Sequence, residues 1–212
     1  ISITIGFLAC LQRKTPLNPS DFLVLNAMRL AERAHREIGH RRKAPPGEDR
    51  PAYFLHLAEV AWLLLDGGIR DDELVAAAYL HDIIEDCGHD ERSLADALGN
   101  ARVATLVAAV SEIEKGQSWE TRQQRYRERL AALGDPAILA LSCADKTANL
   151  MDMNRLLAKG HAVDSFTKRG FEPQQAKFEA LDRLFHERVP ERLYRRFRHA
   201  LEEFRERGRA SA

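Results

Sequence analysis

The spacing of apolar residues along the chain is helical almost throughout. After Pro19, apolar side chains recur three and four residues apart, whereas alternating strand-like runs are absent beyond a possible stub at Ile1–Ile5. A chain of 212 residues, of which 45% are hydrophobic, is long enough to bury one sizeable core. The sequence therefore predicts an all-α fold, a single-domain helical bundle.

Capping residues, glycines and prolines divide this pattern into separate helices. Ser20 is a natural N-cap for a first helix that runs to about His35, and the Gly67–Gly68 pair ends the second. Prolines near the start of a helix mark several of the later ones. After the first, the predicted helices span 52–65, 71–86, 93–98, 101–113, 119–133, 136–157, 173–187 and 190–207.

We divide the chain into an N-terminal extension at 1–19, a core at 20–158 and C-terminal helices at 159–212. The apolar residues of the last two helices, Phe178 and Leu193 among them, are spaced to face inward. We expect these helices to pack on the core and to contribute no chemistry. Internal repeats and low-complexity tracts are absent from the sequence.

Charge and cysteine content exclude some classes of partner. Basic and acidic residues both total 32, so no net field attracts nucleic acid or an anionic membrane, and neither is predicted as a partner. The apolar stretch Ile1–Leu11 is shorter than the ~20 residues of a membrane span; a lipoprotein-type start at Phe7–Cys10 is a weaker alternative. Cys10, Cys87 and Cys143 form no CxxC pattern, which favours a reducing cytoplasm.

Four ionisable residues interrupt the apolar run at 76–86. They are His81, Asp82, Glu85 and Asp86. At about 100° per residue they would all project from one side of a continuous helix. Adjacent His and Asp side chains offer a nitrogen and an oxygen to one divalent ion, and the following carboxylates can handle a water molecule.

Two further candidate ligands lie on other predicted helices. His56 is a lone polar side chain on an apolar helix, a position more often held by a hydrogen-bonded core histidine. Asp145 shares a helical face with Asn149 and Asp152, and that face could equally be a solvated edge with ion pairs. The combination of His56, the His-Asp pair and Asp145 on three helices is what favours a metal site.

Four sequence blocks carry a family resemblance. They are Arg42-Lys43, Tyr53 with His56, HDIIED at 81–86 and ADKTANLMDMNR at 144–155. Over most of its length the chain resembles the HD phosphohydrolase superfamily. Between about His35 and Arg155 it is similar to the hydrolase domain of RelA/SpoT-type alarmone enzymes and to small stand-alone alarmone hydrolases.

This resemblance implies a metal-dependent reaction on a nucleotide. It implies a bound Mn²⁺, with Fe²⁺ or Co²⁺ as alternatives, and release of pyrophosphate from the 3′ position of guanosine tetra- or pentaphosphate to leave GDP or GTP. Glu85 and Asp86 match the pair that orients or deprotonates the attacking water. The positions that match the metal ligands are His56, His81, Asp82 and Asp145.

The same resemblance implies four contacts with the small-molecule nucleotide. Arg42 and Lys43 match a basic pair at the pocket, and Tyr53 and Asn149 match positions near the base and ribose. Each has an ordinary alternative, a solvated loop for the basic pair and a satisfied core tyrosine for Tyr53.

Departures from the family pattern leave other functions open. The loop at 43–53 looks long, and Leu57 stands where a proline commonly follows the ligand histidine. An HD hydrolase acting on another nucleotide or phosphoester is therefore one alternative, and a non-catalytic nucleotide-sensing module is another. No strand-rich half is present to house a synthetase, so hydrolysis alone is expected. The sequence leaves the oligomeric state open.

Overall fold

Helices account for nearly all regular structure in the computed structural model, which describes residues 22–112 and 116–210. Within those ranges the only pairing of β type is an isolated antiparallel bridge between Arg41 and Ala52, so the all-α prediction is confirmed. The helices, in chain order, are α1 (Leu23–Glu37), α2 (Phe54–Asp66), α3 (Asp72–Leu80), α4 (Ile83–Asp86), α5 (Glu91–Leu98), α6 (Ala101–Val110), α7 (Trp119–Leu133), α8 (Pro136–Ala158), α9 (Phe171–Phe185) and α10 (Glu191–Ala210).

Some sequence predictions fall on residues that the structure does not describe. The strand stub at Ile1–Ile5, the extension at 1–19, Cys10 and the Ser20 cap all lie outside the described ranges. Cys87 and Cys143 are described, and both are free cysteines. None of the helices in the described ranges has the length and apolar character needed to cross a bilayer.

Side-chain caps begin several helices where the sequence places them. The carboxylate of Asp71 accepts hydrogen bonds from two backbone N–H groups at the start of α3, and Asp135 does the same for α8, ahead of Pro136. Helix α5 starts two residues earlier than predicted because Asp90 and Ser93 form a reciprocal capping box. Each cap satisfies backbone donors that the first helical turn leaves without partners.

Helix α8 lies at the centre of the molecule. It contacts α2, α3, α6, α9 and α10, and most of its residues are buried. The buried hydrophobic residues of α1 to α10 form one core. The four largest fully buried side chains come from the two last helices: Phe178, Phe185, Phe197 and Phe204. This core fixes α8 firmly, and α8 carries one of the predicted ligands.

The predicted continuous helix at 71–86 is wrong, because a turn separates α3 from α4. The two residues of that turn are His81 and Asp82. His81 bonds through Nδ1 to the carbonyl of Ala78, and Asp82 has φ −101° and ψ 1°, outside the helical region. Adjacent residues of a regular helix diverge by about 100°. The break therefore lets both side chains point at one centre.

The C-terminal end of α1 reverses the chain sharply. Gly39, at φ +64°, donates its N–H to the carbonyl of Arg36 at 3.0 Å, and His40 donates to the carbonyl of His35 at 2.9 Å. These two bonds define a Schellman motif with glycine in the left-handed position. As a result the side chain of His40 contacts that of His35, and the loop that follows runs toward α2.

We expect Gly39→Ala to lower the free energy of unfolding by about 1 kcal/mol, because a left-handed conformation disfavours a side chain. A Cβ at this position would meet no atom within 4 Å, so the loss would come from the backbone alone. Urea unfolding of the two proteins measures it. Gly116→Ala is the control, since a Cβ at Gly116 would also meet no atom within 4 Å. Equal losses in both variants would contradict the prediction.

Candidate metal centre and active site

Four donor atoms converge at the junction of α2, α8 and the α3–α4 turn. The Nε2 atoms of His56 and His81 are 3.3 Å apart, and Asp145 Oδ1 lies 3.2 Å and 3.5 Å from them. Asp82 Oδ2 is 3.0 Å from His81 Nε2 and 3.8 Å from His56 Nε2. Ligands held about 2.0–2.2 Å from one ion stand roughly 3–3.5 Å apart. The predicted ligand set therefore fits a single divalent cation.

The surroundings of the two histidines orient the ring of His81 and set the charge of both rings. His81 Nδ1–H donates a hydrogen bond to the carbonyl of Ala78 at 2.8 Å, which turns Nε2 toward the other ligand atoms. Burial lowers the pKa of His56, which keeps its ring neutral. Burial acts the same way on His81, but the carboxylates of Asp82 and Asp145 outweigh it and raise the pKa of His81 well above its usual value. A cation would take the place of that proton.

Both carboxylates remain ionised although they are buried. Burial works to raise the pKa of Asp145, yet the Lys146 ammonium, 2.7 Å from its Oδ2, and the two histidines hold that pKa well below its usual range. Burial also opposes ionisation of Asp82, and His81 lowers its pKa in the same manner. The Tyr53 hydroxyl donates a hydrogen bond to Asp82 Oδ2 and fixes the direction of the carboxylate.

Arg42 joins the loop after α1 to the polar face of α8. Its Nε and Nη2 donate to Asp152 Oδ2 at 3.0 Å and 2.8 Å, and Nη2 also donates to Asn149 Oδ1 at 3.1 Å. The Asn149 amide in turn donates to Asp145 Oδ1 at 2.6 Å. The guanidinium lies 5.5 Å from the centre of the Tyr53 ring. Three of the four predicted substrate residues, Arg42, Tyr53 and Asn149, therefore lie beside the metal ligands.

Lys43, the fourth predicted substrate residue, lies elsewhere. It lines a separate groove of about 330 Å³ together with Arg50 and Lys168. Arg42 contacts α8, whereas Lys43 faces this groove. A contact between Lys43 and the nucleotide stays a prediction.

The two predicted water-handling carboxylates differ in their surroundings. Glu85 accepts a hydrogen bond from the Glu112 backbone N–H at 2.6 Å, and burial together with the charge of Asp82 raises its pKa to about 8. Asp86 is exposed at the end of α4, with Oδ2 3.7 Å from His40 Nδ1. A buried carboxyl with such a pKa suits proton transfer near neutral pH.

No sequence pattern indicated that several polar and charged residues would lie around Glu85. Gln123 donates to both carboxylate oxygens of Glu112 at 3.1 Å, which fixes the residue that contacts Glu85. Burial and the neighbouring Lys146 lower the pKa of Lys177, on α9, to about 8. The charges that act on Lys177 include Glu112 and Glu85, so the C-terminal helices contribute charge to this region as well as packing.

Comparison with known proteins identifies the family. A family model described as an HD domain matches residues 27–172, more than half of the chain. The chain belongs to the HD domain family. A mouse protein named guanosine-3′,5′-bis(diphosphate) 3′-pyrophosphohydrolase MESH1 is 31% identical over 166 residues, which cover 73% of this chain and 89% of the mouse protein. A Vibrio cholerae protein with the same enzyme name, without the suffix, is 33% identical over 122 residues, which cover 54% of this chain and 17% of that protein.

Two solved structures agree with the fold. The crystal structure of a Listeria monocytogenes protein superposes with a TM-score of 0.62 at 29% identity, covering 72% of this chain and 96% of that one. A metazoan ortholog of SpoT superposes with a TM-score of 0.69 over 88% of this chain, and at 24% identity it supports the fold alone. The chain spans only 17% of the length of the Vibrio relative.

Proposed function

We propose that this HD-domain chain hydrolyses the 3′-pyrophosphate of guanosine tetra- or pentaphosphate to give GDP or GTP and pyrophosphate. The observation that carries the proposal is the contact between the metal-ligand quartet and the Arg42–Asn149–Asp152 cluster. A metal site and a fixed guanidinium side by side suit a phosphorylated nucleotide. The name of the mouse relative, of which this chain covers 89%, specifies the same reaction.

Mn²⁺ is the ion that we propose for the quartet, because mixed imidazole and carboxylate donors suit it. When bound, the ion supplies a Lewis acid for the phosphoryl group and makes water a better nucleophile. We assign the transfer of the water proton to Glu85, whose Oε1 the Glu112 N–H holds in place, with Asp86 assisting. Tyr53 and Asn149 position the carboxylates of Asp82 and Asp145.

Arg42 is the substrate-binding residue that the contacts support most directly. Asp152 and Asn149 hold its guanidinium in one orientation, half-buried beside Tyr53. A preorganised guanidinium loses little conformational freedom when it meets a phosphate or a base. We propose that Asn149 and Tyr53 also border the nucleotide, and that Lys43 reaches it from the neighbouring groove.

We expect Arg42→Ala to raise KM and to lower kcat/KM by roughly tenfold to a hundredfold, the range for one charged hydrogen bond. Bound metal should be unchanged, since Arg42 is not a ligand. Steady-state kinetics with guanosine tetraphosphate measure the effect. Arg41→Ala is the matched control because Arg41 is the adjacent residue and is exposed. Equal effects in the two variants would show that Arg42 does not bind the substrate.

The proposed reaction is tested by identifying its products. Purified protein is incubated with guanosine tetraphosphate in the presence of Mn²⁺, in the presence of Mg²⁺ and after chelation. The proposal requires GDP and pyrophosphate in equal amounts, formed with Mn²⁺ and lost on chelation. Metal bound in the quartet without any GDP would overturn it.

The place of Lys43 favours a second candidate, an HD hydrolase with another nucleotide or phosphoester as substrate. Lys43 and Arg42 do not form one basic pair in the structure, so the mode of base recognition is open to difference. A panel of nucleotides and phosphoesters, assayed with Mn²⁺, separates the two candidates. The cytoplasmic location and the division into 1–19, 20–158 and 159–212 stay predictions.

A further inference from the structure

We propose that His35, His40 and Asp86 form a second site for a divalent transition metal, beside the quartet and built from different donors. The Nδ1 atoms of His35 and His40 are 3.0 Å apart, and Asp86 Oδ2 is 3.7 Å from His40 Nδ1. One ligand atom from each residue lies within 4.8 Å of the other two. These separations resemble the histidine–histidine and histidine–carboxylate separations of the quartet, which range from 3.0 to 3.8 Å.

Two of the three donors of this second site come from one short stretch of the sequence. His35 and His40 occupy the two positions that a Schellman motif brings together, and these positions are usually filled by apolar residues. Tyr53 stacks on both rings, with its centre 3.7 Å from that of His40 and 4.8 Å from that of His35. The stack turns both Nδ1 atoms to one side, where the end of α4 supplies the carboxylate of Asp86.

The chemistry of the donors indicates the class of ion. Two imidazole nitrogens and one carboxylate oxygen suit Zn²⁺ or Co²⁺ better than Mg²⁺ or Ca²⁺. Burial lowers the pKa of His35 to about 4, so its ring is neutral near pH 7 and keeps a lone pair for a metal. His35 is only 2% exposed, whereas the side chains of His40 and Asp86 are 26% and 34% exposed. An ion can therefore enter from solvent, and water can complete its coordination.

Metal stoichiometry tests the second site without any assay of activity. Wild-type protein, His40→Gln, His81→Ala and the double variant are equilibrated with Zn²⁺, dialysed and analysed for zinc per chain. We expect two equivalents in the wild type, one in each single variant and none in the double variant. One equivalent in the wild type, or two in His40→Gln, would overturn the proposal and leave His35 and His40 as a hydrogen-bonded pair.

Two further measurements guard against a trivial result. Circular dichroism establishes that His40→Gln folds, and Asp86→Asn removes the third donor while keeping both histidines, so it too should hold one equivalent. Co²⁺ in place of Zn²⁺ gives a visible absorption spectrum, and the spectrum of His81→Ala should report the second site alone. An absence of cobalt absorption in folded His81→Ala would also contradict the proposal. Failure of the proposed hydrolysis would leave all these outcomes unaffected.

Discussion

His81→Ala is expected to lose the ion of the quartet and, with it, at least about a thousand-fold in the rate of hydrolysis. His81 Nε2 lies within 3.5 Å of donor atoms from His56, Asp82 and Asp145, so its removal opens the centre of the ligand set. A metal ion contributes several kcal/mol to stabilising the charge that develops in phosphoryl transfer, and about 1.4 kcal/mol corresponds to a factor of ten in rate.

The loss should affect chemistry more than folding. Without His81 the two carboxylates lose a charged partner, but Lys146 still pairs with Asp145 and Tyr53 still donates to Asp82. Metal analysis and single-turnover hydrolysis of guanosine tetraphosphate measure the effect, and thermal unfolding checks the fold. His199→Ala, an exposed histidine on α10, is the control. Wild-type turnover by His81→Ala that has lost the ion of the quartet would show that the quartet is not the catalytic centre.

Most helices, and the residues that converge in the quartet, could be predicted from the sequence because local rules mark them. Caps at Asp71 and Asp135 and the Gly67–Gly68 end set helix boundaries within a few residues. Ionisable residues within apolar helical runs indicated the four residues of the quartet, because a buried charge needs a partner. The break after Leu80 could not be predicted, because α-helical periodicity continues through the turn while the contact of His81 with the Ala78 carbonyl ends the helix.

Contacts between distant parts of the chain could not be predicted from sequence patterns. Asp152 was seen on the helical face of Asp145, but its partner Arg42 is 110 residues away. Lys146 could pair with several acids, and only the fold shows that it is buried against Asp145. The His35–His40 contact is different, because a glycine directly before His40 at the end of α1 is a sequence signal for the Schellman motif.

Glu85→Gln is expected to lower kcat by roughly 10²–10⁴-fold, the usual contribution of a general base or acid. The substitution keeps the shape of the side chain, and its amide oxygen can still accept the hydrogen bond from the Glu112 N–H. Metal content and KM should therefore match those of the wild type. Because burial and Asp82 raise the pKa of Glu85, a neutral amide there should also leave the free energy of unfolding unchanged or increase it.

This combination separates a proton-transfer role from a structural one. A residue that only supports the fold would lower stability or metal content when changed, whereas Glu85→Gln should lose turnover in a protein that is equally stable and fully loaded. Pre-steady-state hydrolysis, metal analysis and urea unfolding on the same preparation give the three quantities. Glu206→Gln, an exposed position on α10, is the matched control. Full turnover by metal-loaded Glu85→Gln would assign the water proton to another group, with Asp86 the next to test, because it follows Glu85 directly on α4.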